Sequence, residues 1–310
     1  MKWTAVLRLI RAPNLLIVAL TQWLIYRQVI LPALSAAGIG PSLALNERLY
    51  LILVTVIITA GGYVINDLSD GKADKINGRK ILLSTLDQRR YAWWLYLSSQ
   101  ILGFCLALFL AFHSGNRLWI GLYPVGVWLL YVYSTTLKRL PFLGNVLIAL
   151  FCAGAAAIIW FAERGALGQL HSSMPEVYLR FARITGFYLG FAFLSTLFRE
   201  MVKDLEDEAG DEQAGYRTAV VWLGTRPMKQ LTVLTGVLFF LAFSLGMFYL
   251  EDNFRKEWLW FTFIPVTLLS FGAIWQVLKA NSPKEFHQPS TLAKVIMALG
   301  LLLLLGLKHI

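Results

Sequence analysis

Nine runs of mostly apolar residues, separated by short charged stretches, constrain this 310-residue chain more than any other feature. They lie near 14–34, 49–66, 91–112, 118–137, 142–162, 178–198, 230–250, 258–278 and 291–308. A helix rises about 1.5 Å per residue, so about 20 residues cross the roughly 30 Å hydrocarbon core of a bilayer. Inside hydrocarbon every backbone N–H and C=O must find a partner, and a helix provides one within a single segment. The expected fold is therefore an all-α integral membrane protein with nine transmembrane helices, residues 1–310 forming one domain. Only 15% of residues are charged, against about 25% in soluble domains. The first run resembles a signal peptide in its flanks, but its apolar stretch exceeds the roughly 7–15 residues of a signal core and reads as a retained span.

Charge then sets orientation. With the N-terminus inside, the cytoplasmic Lys and Arg number three before the first span, six in 67–90, two at 138–139, five in 199–229 and three in 279–294, against nine outside. That bias places the N-terminus in the cytoplasm. The net charge of +10 is spread over these loops, without the basic stripe or aromatic-basic module of a nucleic-acid binder. Cys105 and Cys152 sit inside apolar runs with no C-x-x-C spacing, and the four histidines are scattered. Neither pattern makes a disulfide framework or a zinc site.

The acidic residues are concentrated where the basic ones are. Eleven of 18 fall within 67–90 and 200–212. One cluster reads N-D-L-S-D-G-K-A-D from Asn66 to Asp74, the other K-D-L-E-D-E-A-G-D from Lys203 to Asp211. On a helix continuing from the second span, Asn66, Asp70 and Asp74 share a face with Asp67 beside them. Asp204, Asp207 and Asp211 also follow helical spacing, and Glu200 extends that face backward by one turn. Glu206, Glu208 and Glu212 point away from it and are expected to face solvent. Crowded carboxylates repel one another unless a cation bridges them. Magnesium takes oxygen ligands and commonly binds one or two carboxylates together with substrate phosphates. The rows therefore point to a metal-bound diphosphate, with Lys138, Arg139, Arg199 and Lys203 as further sources of positive charge.

These motifs resemble the UbiA superfamily of intramembrane prenyltransferases. R-A-P-N (11–14) opens the first span, G-G-Y-V-I-N-D (61–67) leads into the first motif and D-K-I-N (74–77) leaves it. Y-S-T-T-L-K-R-L-P-F-L-G-N (133–145) is similar to the family's Tyr…Lys-Arg segment. R-E-M-V-K-D-L-E-D-E-A-G-D (199–211), followed by G-Y-R-T (215–218), matches the second motif. The chain departs from many relatives at 77–86, where an Arg-Pro-rich stretch gives way to N-G-R-K-I-L-L-S-T-L and only Arg79 and Lys80 keep the charge.

The resemblance implies nine helices around a central cavity, with the Asp motifs on the cytoplasmic side and Mg2+ as cofactor. It implies metal binding by Asp67, Asp70, Asp74, Asp204, Asp207 and Asp211, with Asp67, Asp70, Asp204 and Asp207 central to catalysis. Asn14, Asn66, Tyr133, Lys138, Arg199 and Lys203 are the candidate diphosphate contacts. Asn14 reads equally well as a helix cap, and Arg199 and Lys203 as neutralisers of nearby acids. The partners implied are an isoprenyl diphosphate donor arriving from the membrane lipid, and a lipid or aromatic acceptor, with no nucleic acid. The wording of the motifs is most similar to the branch that transfers geranylgeranyl to geranylgeranylglycerol phosphate. Prenylation of an aromatic quinone precursor (4-hydroxybenzoate or dihydroxynaphthoate) is the runner-up. A divalent-cation transporter is the alternative of another class, but transporters place ion sites near the bilayer midplane, and no run here has a central acidic residue.

Overall fold

The computed structural model describes residues 2–77 and 82–308, with backbone alone at 72 and 73. Arg79 and Lys80 lie outside the described residues. The helices in chain order are α1 (Trp3–Leu9), α2 (Ala12–Ile25), α3 (Leu31–Ala36), α4 (Leu45–Ile76), α5 (Leu86–His113), α6 (Leu118–Thr135), α7 (Leu143–Ala162), α8 (Arg164–Ser173), α9 (Pro175–Ala214), α10 (Ala219–Leu223), α11 (Thr225–Leu250), α12 (Lys256–Lys279) and α13 (His287–Leu303). Among the described residues nine helical stretches are long and apolar enough to cross a membrane, as the hydropathy pattern predicts.

Two of them depart from the expected outline for local reasons. The first is not one helix: α2 passes through a π-helical turn, Tyr26–Ile30, into α3. Pro32 opens α3. Its ring nitrogen cannot donate to the carbonyl one turn back, which is where helices adopt wide turns. The sixth span was expected to end near 198, yet α9 runs unbroken for 40 residues to Ala214. Residues 199–209 are rich in Glu, Lys, Leu, Met and Ala, all strong helix formers. Gly215, at φ 78°, takes up the left-handed conformation that stops it. The two longest helices, α4 and α9, are the ones that carry the acidic motifs.

The chain forms two compact units. The first comprises the chain up to Leu20, Leu43–Gly144 and Ala209–Arg217. Its packing centres on α4, where Val64, Ile65 and Leu68 are buried with Leu9, Leu83, Ala92 and Tyr96. The hydroxyl of Tyr123 donates to Gln100 at 3.1 Å, so a polar stitch joins α6 to α5 inside apolar surroundings. Gly103 makes room for that phenol, because a Cβ there would overlap the Tyr123 hydroxyl. Thr85 and Gln88 form a reciprocal cap that starts α5.

The second unit comprises Thr21–Ser42, Asn145–Glu208 and the chain from Thr218. It is built around aromatic side chains: Phe181, Phe191, Phe239 and Phe243 are buried together with Tyr26, Met247, Val266 and Ile296. Within it the fully buried Glu163 accepts from the Tyr26 hydroxyl at 2.5 Å and from the Ser42 amide at 2.6 Å. The two bonds satisfy a carboxylate that apolar surroundings would otherwise penalise heavily.

Candidate active site

In the first unit the first motif lies on the last turns of α4, which bring Asn66, Asp67 and Asp70 to two cations from distant parts of the chain. Arg11 reaches Asp67 at 3.2 Å, Nη2 to Oδ1. It sits between α1 and α2 with a φ of 51°, a left-handed backbone that costs a non-glycine residue about 1–3 kcal/mol. Its guanidinium lies 4.8 Å above the Tyr63 ring, and Asn14 donates to the Tyr63 hydroxyl at 3.3 Å. Asn14 therefore reaches the neighbourhood of the motif through Tyr63.

The second cation is Lys138. Its Nζ lies 2.5 Å from Asp70 Oδ1 and donates to Asn66 Oδ1 at 2.8 Å. Asn66 in turn donates to Asp70 Oδ2 at 2.8 Å. A 3-10 turn, Leu137–Arg139, positions this lysine after α6 ends. Gly144 admits the turn closely, because a Cβ there would stand 2.7 Å from the Lys138 Cα. Tyr133 is half-buried near the end of α6.

The tail of the second motif belongs to the same unit. The Asn77 side chain rests on Gly210, where a Cβ would collide with it. The exit of the first motif thus packs on α9 next to Asp211. Beyond α9, the Tyr216 amide donates to Asp211 O at 2.9 Å and the Arg217 amide to Arg139 O at 3.0 Å. The Arg139 guanidinium lies 4.7 Å over the Tyr216 ring. Burial raises the Tyr216 phenol above its ordinary pKa; Asp70 adds to this, Arg139 opposes it, and Asp211 and Asp74 reinforce it. The phenol therefore senses carboxylates of both motifs.

In the second unit Asp204 accepts from the Asn145 amide at 2.9 Å, and Lys203 approaches Asp207, itself buried, at 3.8 Å. Arg199 pairs with its neighbour Glu200. Glu206 and Glu208 do not simply face solvent as expected. Glu206 bonds His287 at 2.8 Å and Glu208 accepts from Thr225 at 2.7 Å, because the starts of α13 and α11 lie against this stretch of α9.

Sequence reasoning passed over Arg11, Asn145 and Tyr216 as site residues. Each stands inside a segment it quoted: Arg11 three residues before Asn14, Asn145 at the end of the Tyr…Lys-Arg segment, and Tyr216 in G-Y-R-T.

Among the described residues no three His, Cys, Asp or Glu side chains converge as a ready-made metal cage. The donor chemistry still fits a hard divalent cation. In the first unit Asn66, Asp67 and Asp70 offer oxygen ligands, and Arg11 and Lys138 show that two of these carboxylates attract positive charge; in the second unit Asp204 and Asp207 offer oxygen ligands of their own.

Among the described residues, nine bilayer-length helices with aspartate rows towards the ends of two of them give the frame of a multi-pass membrane protein. The pattern of the UbiA prenyltransferase family matches residues 29–303, and the chain belongs to that family. It is 32% identical over 195 residues to digeranylgeranylglyceryl phosphate synthase of Sulfolobus acidocaldarius, covering 61% of this chain and 62% of that one. It is 27% identical over 259 residues to the synthase of the same name from Thermococcus gammatolerans, covering 82% and 84%. The chain thus spans about three fifths of the first relative's length and more than four fifths of the second's. Its fold matches a solved structure described as digeranylgeranylglyceryl phosphate synthase in membranes, with a TM-score of 0.63 at 21% identity over 98% of this chain and 97% of that one. It also matches a UbiA homologue from Aeropyrum pernix K1, with a TM-score of 0.60 at 14% identity over 91% and 96%.

Proposed function

We propose that this chain, working as one catalytic domain, transfers a polyprenyl group from an isoprenyl diphosphate to a geranylgeranylglyceryl phosphate-type acceptor. In that reaction the allylic C1–O bond to the diphosphate breaks, the acceptor hydroxyl oxygen forms a new ether bond to C1, and the hydroxyl proton leaves. The observation that carries the reading is the tethering of Asp67 and Asp70, carboxylates on one helix, by two cations from elsewhere in the chain. Such an arrangement matches charge that moves when a diphosphate arrives or departs. The relatives reported above favour the ether-lipid acceptor over an aromatic one.

Asp67, Asp70, Asp74, Asp204, Asp207 and Asp211 would hold Mg2+, which when bound supplies positive charge to the leaving diphosphate. Lys138 and Asn66 keep Asp70 in a fixed rotamer and present donors beside it. Arg11 does the same for Asp67. Asn14 and Tyr133 complete the candidate diphosphate contacts, while Arg199 and Lys203, beside Glu200 and Asp207, neutralise those neighbouring acids. Fixed charges of this kind stabilise developing negative charge without reorganising during the reaction. The charge asymmetry of the loops supports a cytoplasmic N-terminus and cytoplasmic motifs.

The test is to incubate membranes containing the protein with radiolabelled geranylgeranyl diphosphate and a panel of acceptors. A magnesium-dependent ether product with geranylgeranylglyceryl phosphate supports the reading. Label on 4-hydroxybenzoate or dihydroxynaphthoate instead would replace the acceptor, and divalent-ion flux into vesicles without any product would replace the enzyme.

A further inference from the structure

Lys138 and Arg139 are adjacent cations on one 3-10 turn, yet the fold uses them differently. Lys138 is spent on Asp70 and Asn66. Arg139 instead lays its guanidinium over Tyr216, 4.7 Å from the ring centroid, and among the described residues its buried Nε has no hydrogen-bond partner. A buried guanidinium N–H left without an acceptor is costly, and native structures seldom keep one without a use.

The platform beneath it is fixed from several sides. The Arg139 carbonyl accepts from the Arg217 amide at 3.0 Å, and the Tyr216 amide is tied to Asp211 at 2.9 Å. A guanidinium is a planar fork of N–H donors, the arrangement that suits the paired oxygens of a phosphate, and an aromatic face beneath it restricts its motion. Ether-lipid transfer requires two anions to sit near one another: the donor's diphosphate and the acceptor's phosphomonoester. The carboxylate rows with Lys138 account for the first. Asp70, Asp74 and Asp211 all bear on Tyr216, so an anion beside that ring needs a fixed cation of its own.

We propose that Arg139, stacked on Tyr216, binds the phosphomonoester of the acceptor at a subsite separate from the donor diphosphate. The inference rests on the ether-lipid reading given above. A purely structural role for Arg139, bracing the 215–217 turn, makes different kinetic predictions.

The experiment compares wild type, Arg139→Met and Arg139→Lys with the phosphorylated acceptor and its dephosphorylated counterpart, measuring KM for acceptor and for donor separately. Arg139→Met is expected to raise the acceptor KM at least about tenfold, the loss typical of a charged hydrogen bond. Donor KM should stay within about twofold, and the variant should no longer distinguish the two acceptors. Arg139→Lys should fall between, because it keeps the charge but not the fork. A rise in donor KM, or undiminished preference for the phosphorylated acceptor in Arg139→Met, overturns the subsite. An equal loss of kcat on both acceptors with that preference intact assigns Arg139 to bracing. Wild type that ignores the glycerophosphate and prenylates an aromatic acceptor overturns the underlying reading together with the subsite.

Discussion

The two acidic rows look alike in sequence but are held by different means. In the first, Arg11 reaches Asp67 across 56 residues of chain and Lys138 reaches Asn66 across 72. In the second, the lysine on Asp207 is its own i−4 neighbour at 3.8 Å, and Asp204 is met by the neutral amide of Asn145. Lys138 is 11% exposed and Lys203 33%. A desolvated, long-range ion pair depends on the whole unit being folded and is strongly felt when one partner is removed. A pair one helical turn apart, its lysine a third exposed and held at 3.8 Å, forms wherever the helix forms and contributes less. The first row is therefore positioned by tertiary structure, while Lys203 and Asp207 in the second meet by helical spacing alone.

That contrast sets out an order of effects. The largest should come from removing the acids or their metal: Asp70→Ala, Asp207→Ala or excess EDTA should each lower turnover by about 10²–10³-fold, the scale of losing a main electrostatic stabiliser. Full activity in both variants, or in chelator, ends the metal assignment. Next is Lys138→Ala, which strips two bonds from a nearly buried site and should reduce kcat/KM by about 10²-fold. Turnover close to wild type would remove the distinction between the rows. Asn145→Ala leaves Asp204 without its amide and should cost about tenfold in kcat/KM. An effect equal to that of Lys138→Ala would show that the second row is positioned as tightly as the first. Smallest is Lys203→Ala, expected to change kcat/KM by no more than about threefold. A loss rivalling Lys138→Ala would mean that this lysine contacts substrate rather than only its neighbouring acid.

Much of this was legible from residue order. The helical spacing of Asp204, Asp207 and Asp211 reads directly as one helix face, and α9 is indeed helical through all three. The expected end of that span near 198 was too early because hydropathy marks where apolar residues stop, whereas helix propensity continues to Ala214. Glu206 and Glu208 were expected in solvent because nothing local reveals that the starts of α13 and α11 lie beside them. Arg11 was hidden for a similar reason. Its value lies in a left-handed backbone that turns the guanidinium onto Tyr63 and Asp67, and R-A-P-N carries no mark of that turn.

Residue order by itself determined the nine bilayer-crossing segments and the two aspartate rows, because hydrophobicity and helical periodicity are properties of contiguous residues. Only the tertiary structure decided which cation meets which carboxylate, and that Lys138 serves Asp70 while its neighbour Arg139 lies on Tyr216. Those choices depend on where distant helices come to rest, which is set by packing such as that of Asn77 on Gly210 and Lys138 beside Gly144.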